Sequence, residues 1–368
     1  MESLLAAVAS ALAEADSDSA TDSDTDSEPF GWPARWQVLT TVSVELQALL
    51  ATGASPELVA LIEDIVTQLA DGVANSRRHR VELAELAHRV LGIHARACAA
   101  ARPDPVRLAD WLLDLQLEHP DAPDVGLAAY AGPLDDDGLA HYRDRAVALF
   151  APLPVIGFGE TGRYDRARWA LLRVMEELAE YTDDVDLQLL VLTKDLSSGW
   201  HYLQVATVLR DNGRSEEALE WVRRGLGAVG GRGAALRLID LAVEEHLRRG
   251  APQQAVEVCR EAFLTRPSLE VYLKARALVV HTDDWPPLRA ELVEHLVRDG
   301  GRLAVEVYRR IVEVELARRG IGEQDLLVEW LHRLRGLQPD AFGDYLDHIR
   351  SRHAADRDLL DELTRRGF

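Results

Sequence analysis

Residues 211–226, DNGRSEEALEWVRRGL, return 37 positions later as residues 248–263, RRGAPQQAVEVCREAF. Gly213 falls on Gly250, Ala218 on Ala255, Trp221 on Val258 and Leu226 on Phe263. A weaker copy follows at an offset of 33, with Leu288 on Ala255, Leu292 on Cys259 and Leu296 on Phe263. A repeat of this length is one supersecondary unit, which cannot bury its apolar face alone, so neighbours must stack.

The period inside and outside the repeat is helical. Val42, Leu46, Leu49 and Leu50 lie three and four apart, as do Leu58, Leu61, Ile62, Ile65, Val66 and Leu69. Each set makes one apolar stripe. No run of strict alternation is long enough to carry a sheet. The spacing predicts helices over 34–51, 56–71, 77–101, 105–117, 123–131, 137–150, 163–181, 184–195 and 199–212. It predicts further helices over 215–228, 234–249, 252–265, 268–280, 285–298, 301–319, 323–336, 339–354 and 356–366. A short helix is expected ahead of residue 14. Ser55-Pro56 is a cap residue before a proline at the first helical position. Gly213, Gly250 and Gly320 follow periodic segments, where a left-handed residue closes a helix. Short turns between helices give antiparallel hairpins.

Composition narrows the function classes. The 368 residues carry 62 acids against 41 bases, a formal net charge of −21. Phosphate affinity comes from clustered Lys and Arg, so direct nucleic-acid binding is not expected. Eight of the acids fall in the first 30 residues, which hold no base. Residues 14–28, EADSDSATDSDTDSE, contain no large apolar side chain and are expected to be disordered. The apolar stretch 1–9 has no basic flank, so a secretory signal is not expected. No run approaches the ~20 apolar residues of a membrane span. The expected compartment is the cytoplasm, with both cysteines reduced. Lysine occurs only at 194 and 274, in the manner of a GC-rich bacterial genome.

The two repeat offsets bracket the 34-residue period of tetratricopeptide repeats, and residues 184–300 resemble a degenerate form of that family. Its large and small positions are met at Tyr202, Val205, Ala206, Leu209, Ala218, Val222 and Gly225. They are met again at Ile239, Ala242, Val243, Ala255, Cys259 and Ala262, with Pro267 in place of the terminal proline. The third unit departs from the pattern, with Arg276 at a small-residue position and Asp283 at a glycine position. Gly53, Leu58 and Leu61 are a faint N-terminal echo. The resemblance implies a right-handed α-solenoid. In that family the first helices of successive repeats form a concave peptide-binding wall. The corresponding residues here are Trp200, Thr207, Arg210, Asp211, Arg237, Asp240, Glu244 and Arg248.

The segments RPDPVRLADWLLDLQL (102–117), LDDDGLAHYRDRA (134–146), 194–226 and RPSLEVYLKARAL (266–278) are together similar to a second family. It is the helical C-terminal region of bacterial SWIM zinc-finger proteins, with related uncharacterised helical proteins, and the likeness runs from about 34 to 366. It implies a helical region devoted to interaction. The finger itself needs a Cys-x-Cys pair and a Cys-x-His pair, and this chain has only Cys98 and Cys259. No zinc role is carried over.

Four local patterns carry possible chemistry. Gly157–Gly162 matches G-x-G-x-x-G, but a dinucleotide site needs a strand before it, and two prolines stand there. An inter-hairpin loop is expected. His94 and Cys98 share a helix face at zinc-ligand spacing without a further ligand pair, so a core cysteine beside a peripheral histidine is expected. His281-Thr282-Asp283-Asp284 reads as a turn, and Asp135-Asp136-Asp137-Gly138 as a capped helix start rather than a calcium loop. Among the tryptophans, Trp111, Trp169, Trp221 and Trp330 are expected in the core, and Trp32 and Trp36 to pin the acidic segment to the body.

The expected protein is all-α, built of antiparallel hairpins stacked as a tetratricopeptide-like solenoid. Its expected divisions are 1–31 (acidic), 32–183 (helical hairpins), 184–300 (repeats) and 301–368 (C-terminal cap). It is expected to bind a peptide or partner domain in a helical groove, without catalysis, cofactor or metal. The alternatives are a regulatory accessory subunit of a SWIM-finger-like nucleic-acid system, and an enzyme with a site near the 150–165 loop.

Overall fold

The computed structural model describes residues 2–13, 32–162, 165–318 and 324–368. Residues 14–28 and Gly320 lie outside the described residues. Among the described residues there are eighteen α-helices and no strand, with one isolated parallel bridge between Ile156 and Asp195. The chain divides into two compact units, residues 1–156 with 160–195, and residues 157–159 with 196–368.

The first unit holds α1 (Glu2–Ala13), α2 (Trp32–Thr52), α3 (Pro56–Asn75), α4 (Arg80–Ala101) and α5 (Pro105–Glu118). A 3₁₀ helix (Leu127–Tyr130), α6 (Ala131–Phe150), α7 (Arg166–Thr182) and α8 (Val185–Leu192) follow. The start signals operate as local physics requires. Ser55 accepts the Leu58 N–H ahead of Pro56, and Asp104 accepts the Arg107 N–H ahead of Pro105. The stripe Leu58, Leu61, Ile62, Ile65, Val66 and Leu69 is buried in the core, as are Val42 and Leu46. Trp32 stacks on the His79 ring at 3.7 Å and on Trp36 at 5.8 Å, and both tryptophans pack against this core.

The helix expected over 123–131 shrinks to the single turn Leu127–Tyr130, because Gly126 stands before it in the left-handed region (φ 69°). The helix expected from 137 begins instead at Ala131, with a break at Asp135 (φ 47°). The Asp135 carboxylate accepts the N–H groups of Asp137 and Gly138, so the acidic run is a helix start. Trp169 is not core. It is 39% exposed, with the Arg173 guanidinium over its ring at 4.7 Å, because the periodic stripe of α7 turns Leu171, Val174 and Leu178 inward instead.

The second unit holds α9 (Gly199–Asp211), α10 (Ser215–Val229), α11 (Ala235–Arg248), α12 (Pro252–Thr265), α13 (Leu269–Val279), α14 (Trp285–Asp299), α15 (Arg302–Arg318), α16 (Gln324–Leu337), α17 (Pro339–Arg352) and α18 (Arg357–Arg365). The repeat is visible in its joints. Gly213 (φ 76°) and Gly250 (φ 70°) make the two matching left-handed turns. Ala218 and Ala255 are fully buried. A Cβ on Gly225 would lie 2.9 Å from both Tyr202 Cβ and Leu238 Cδ1, so the small residue is what lets α9, α10 and α11 close together.

Both departures of the third unit have physical reasons. Asp283 does not take positive φ. Its turn is built from the Thr282 hydroxyl, which accepts the Asp284 N–H at 3.3 Å, so no glycine is needed. Arg276 reaches the buried carboxylate of Glu315 at 3.2 Å, and the Tyr272 hydroxyl donates to the same oxygen at 3.1 Å.

Ion pairs run between alternate helices. Arg210–Glu244 (3.5 Å) joins α9 to α11, Lys274–Asp240 joins α11 to α13, Arg310–Glu270 (4.0 Å) joins α13 to α15, and Arg352–Glu313 (3.2 Å) joins α15 to α17. On the second helices, Arg260–Glu291 joins α12 to α14 and Arg333–Glu294 joins α14 to α16. Such surface pairs contribute ~0.2–1 kcal/mol each, so they fix register more than stability.

Candidate functional site

The residues expected to line a peptide wall lie on α9 and α11, and most are engaged with neighbours. Arg210 bonds Asp211 at 3.1 Å besides its pair with Glu244, and Asp240 pairs with Lys274. The Thr207 hydroxyl donates to the Leu203 carbonyl at 2.8 Å. Arg248 turns back to buried Glu245 (2.6 Å) and to the Ser215 hydroxyl (2.9 Å). Its hydrogen bonds hold the Glu245 carboxyl below the usual carboxylate range. Trp200 (56% exposed) and Arg237 face solvent. The structure thus brings Arg210, Asp211 and Glu244 together, and leaves Trp200 and Arg237 open.

A cavity of about 700 Å³ lies on the opposite side of α11. Arg237, Asp240, Glu244 and Arg248 follow one face of that helix at spacings of three and four. Ala235, Ile239, Ala242 and His246 follow the other and form the cavity floor. Leu219, Val222 and Leu226 of α10 make one wall, and Val258 and Ala262 of α12 the other. Among the described residues no ion pair crosses between α10 and α12, whereas Arg260–Glu291 and Arg333–Glu294 tie the later second helices together. Small side chains at 235, 242 and 262 keep the gap open. Burial and Arg249 hold the His246 imidazole below its usual range, so this floor residue is neutral near pH 7. The size suits a drug-sized molecule or a few peptide side chains. The sequence signal for this groove is small residues on neighbouring helices, Ala242 on α11 and Ala262 on α12, which serve equally well as packing positions.

The Gly157–Gly162 loop does not follow a strand. Its approach is held by two buried cations. The Lys194 ammonium donates to the carbonyls of Ala151 and Leu153 at 2.8 Å each. Arg168 donates to the carbonyls of Pro154 (2.7 Å) and Lys194 (2.8 Å). The carbonyls of Ala151, Leu153 and Pro154 follow the end of α6 and that of Lys194 the end of α8, where cations are favoured.

His94 is more buried than expected. It is fully enclosed, and the structure gathers around it residues that no local motif links. The Tyr130 hydroxyl donates to the Leu91 carbonyl (3.2 Å), so it accepts from His94 Nδ1 (3.0 Å). His94 Nε2 then faces Cys98 Sγ at 3.4 Å and Glu63 Oε1 at 3.5 Å. Arg107 grips both oxygens of Glu63, one at 2.9 Å. Burial holds His94 below its usual range. Burial alone raises the Glu63 carboxyl, but His94 and Arg107 outweigh it and keep it low. Among the described residues no group of three or more His, Cys, Asp or Glu side chains is arranged to hold a metal. With Glu63 claimed by Arg107, the cluster is a fastening between α3, α4, α5 and the 3₁₀ helix.

Burial pushes the Cys98 thiol up to about 12 and the Cys259 thiol to about 11. The thiolate is the reactive form. Both cysteines should therefore resist iodoacetamide in the native chain and react within minutes in denaturant, read by mass spectrometry. Alkylation of the native chain at the denatured rate would contradict this burial.

No helix among the described residues is long and apolar enough to cross a membrane. In comparison with known proteins, the chain matches no family model and no curated protein.

Proposed function

We propose that this chain is a non-catalytic binding module. Its second unit works as a degenerate tetratricopeptide-like stack of hairpins that holds a peptide segment of a partner protein between α10 and α12. The observation that carries the reading is the apolar-floored cavity of about 700 Å³ on α11. Its walls are the helices α10 and α12, each packed on α11, so little ordering is lost when an apolar segment enters. A segment presenting a row of apolar side chains matches the recognised helix-in-groove mode.

The test separates the two faces of α11. Ala262→Trp fills the cavity, and Arg210→Glu with Arg237→Glu reverses charge on the other face. Partner capture from the native host is compared for the three proteins after their melting temperatures are matched. Loss of at least tenfold with Ala262→Trp alone supports the groove. Loss only with the double charge reversal moves the site to the α9–α11 face. Equal capture by all three overturns the reading.

A further inference from the structure

We infer that the groove selects a peptide whose apolar row ends on a carboxylate, and that Arg266 receives it. This rests on the groove reading above. The lining holds three arginines. Arg249 pairs with Glu216, and Arg223 pairs with Glu220 at 2.5 Å. Arg266 has no ion pair among the described residues, in a chain of net charge −21.

Arg266 is also held in place. Gly231 has φ 74°, and a Cβ there would lie 2.6 Å from Arg266 Cβ and 2.7 Å from its Cδ. The arginine stem thus lies across bare glycine backbone, and part of its rotamer entropy is lost before any ligand arrives. The starts of α11 and α13 lie at the same mouth, where Ala235 and Ser268 line the cavity. The ends of α10 and α12 meet there too, at Gly230 and Thr265, so the partial charges of the helix ends offset one another and the cation at this mouth is Arg266. The nearby Glu270 is turned to Arg310. The far mouth carries the closed Glu216–Arg249 pair and the neutral His246, so among the described residues the unpaired cation of the groove lies at the Arg266 end.

A fatty acid has the same broad chemistry, but the rim favours a peptide. Gln254 and Glu261 are exposed along the α12 wall and can hydrogen-bond a peptide backbone, a contact that an acyl chain cannot make. Glu261, five residues before Arg266, has no ion pair among the described residues. It disfavours a second acid one turn back along the ligand, which sets direction.

The experiment pans a phage-displayed random dodecapeptide library on the full chain and on Ala262→Trp. The peptides selected by the native chain alone are synthesised and their affinities measured. They should carry Asp, Glu or a free C-terminus beside an apolar row. Arg266→Glu should weaken them about tenfold or more, Arg266→Lys less, with the loss growing smaller at high salt. Circular dichroism and melting of the Arg266 variants show that they fold. Groove-dependent peptides without an acid, unchanged by Arg266→Glu, overturn this inference and leave the groove reading standing. If no selected peptide depends on the open cavity, the groove reading itself fails. Dodecanoate bound in the cavity, with no peptide competing for it, makes the occupant a lipid and overturns the inference.

Discussion

Replacing Glu63 with alanine is expected to cost the first unit about 3 kcal/mol at neutral pH. Glu63 is 5% exposed and stands between buried His94 and a half-exposed Arg107. Removing it does not strand a buried cation, because the Arg107 head can turn to water. What is lost is a pair of charge-assisted hydrogen bonds from Arg107 and the packing between α3, α4 and α5 around the His94 ring. The pH dependence follows with a definite sign. The His94 pKa is lowered in the folded chain, so its contribution is complete above the unfolded value near 6.5 and is lost as pH falls through the folded value. The Glu63 pKa is lowered too, so its contribution is complete above the ordinary glutamate value of 4.5 and is lost as pH falls further. Both terms weaken the first unit on acidification. His94→Gln should flatten the stability profile just below pH 6.5, and Glu63→Gln should flatten the part below 4.5. Guanidinium unfolding at a series of pH values, with hydrogen exchange read on peptides from α3 to α5, measures both. An unchanged slope in His94→Gln would refute the assignment.

Hydrogen exchange is needed because two compact units need not unfold together, and a single midpoint would mix them. Trp111 offers a local optical report, since its ring lies 4.5 Å from the His94 ring.

The helices were legible because their signals are local. Pro56 and Pro105 at first positions, and Gly213 and Gly250 at left-handed turns, act within four residues of where they stand. The buried stripe of α3 needed only period and composition. The His94 cluster was half legible. Spacing put His94 and Cys98 on one face, but nothing local announces that Glu63 and Tyr130 converge there from 31 and 36 residues away. The groove was hidden for a related reason. Residues 235, 239 and 242 read equally well as a packing face, and whether that face is covered depends on how far α12 stands from α10. The family likeness points to the first-helix face, where Arg210, Asp240 and Arg248 are engaged with their neighbours.

Arg276→Ala restores the small residue that the repeat pattern expects, and it is expected to destabilise the second unit by about 3–5 kcal/mol. Glu315 is 3% exposed, and Arg276 is its cationic partner at 3.2 Å. Without that guanidinium the carboxylate keeps only the Tyr272 hydrogen bond, inside a core of Val271, Tyr272, Ile311 and Val312. A buried carboxylate with one neutral donor is costly. The arginine also packs, with its head 5.9 Å from the Trp285 ring centre, so some apolar contact goes with the charge. The double variant Arg276→Ala with Glu315→Leu should recover most of the loss, because removing both members of a buried pair is often neutral. Tyr272 supplies a further check. Burial first, and Glu315 second, push its phenol well up, so the native ring should not ionise below the pH at which the unit unfolds. Urea unfolding of the four proteins of this double-mutant cycle gives the coupling energy directly. If Arg276→Ala alone is neutral or stabilising, the repeat pattern outweighs the buried pair, and the departure in the third unit has another cause.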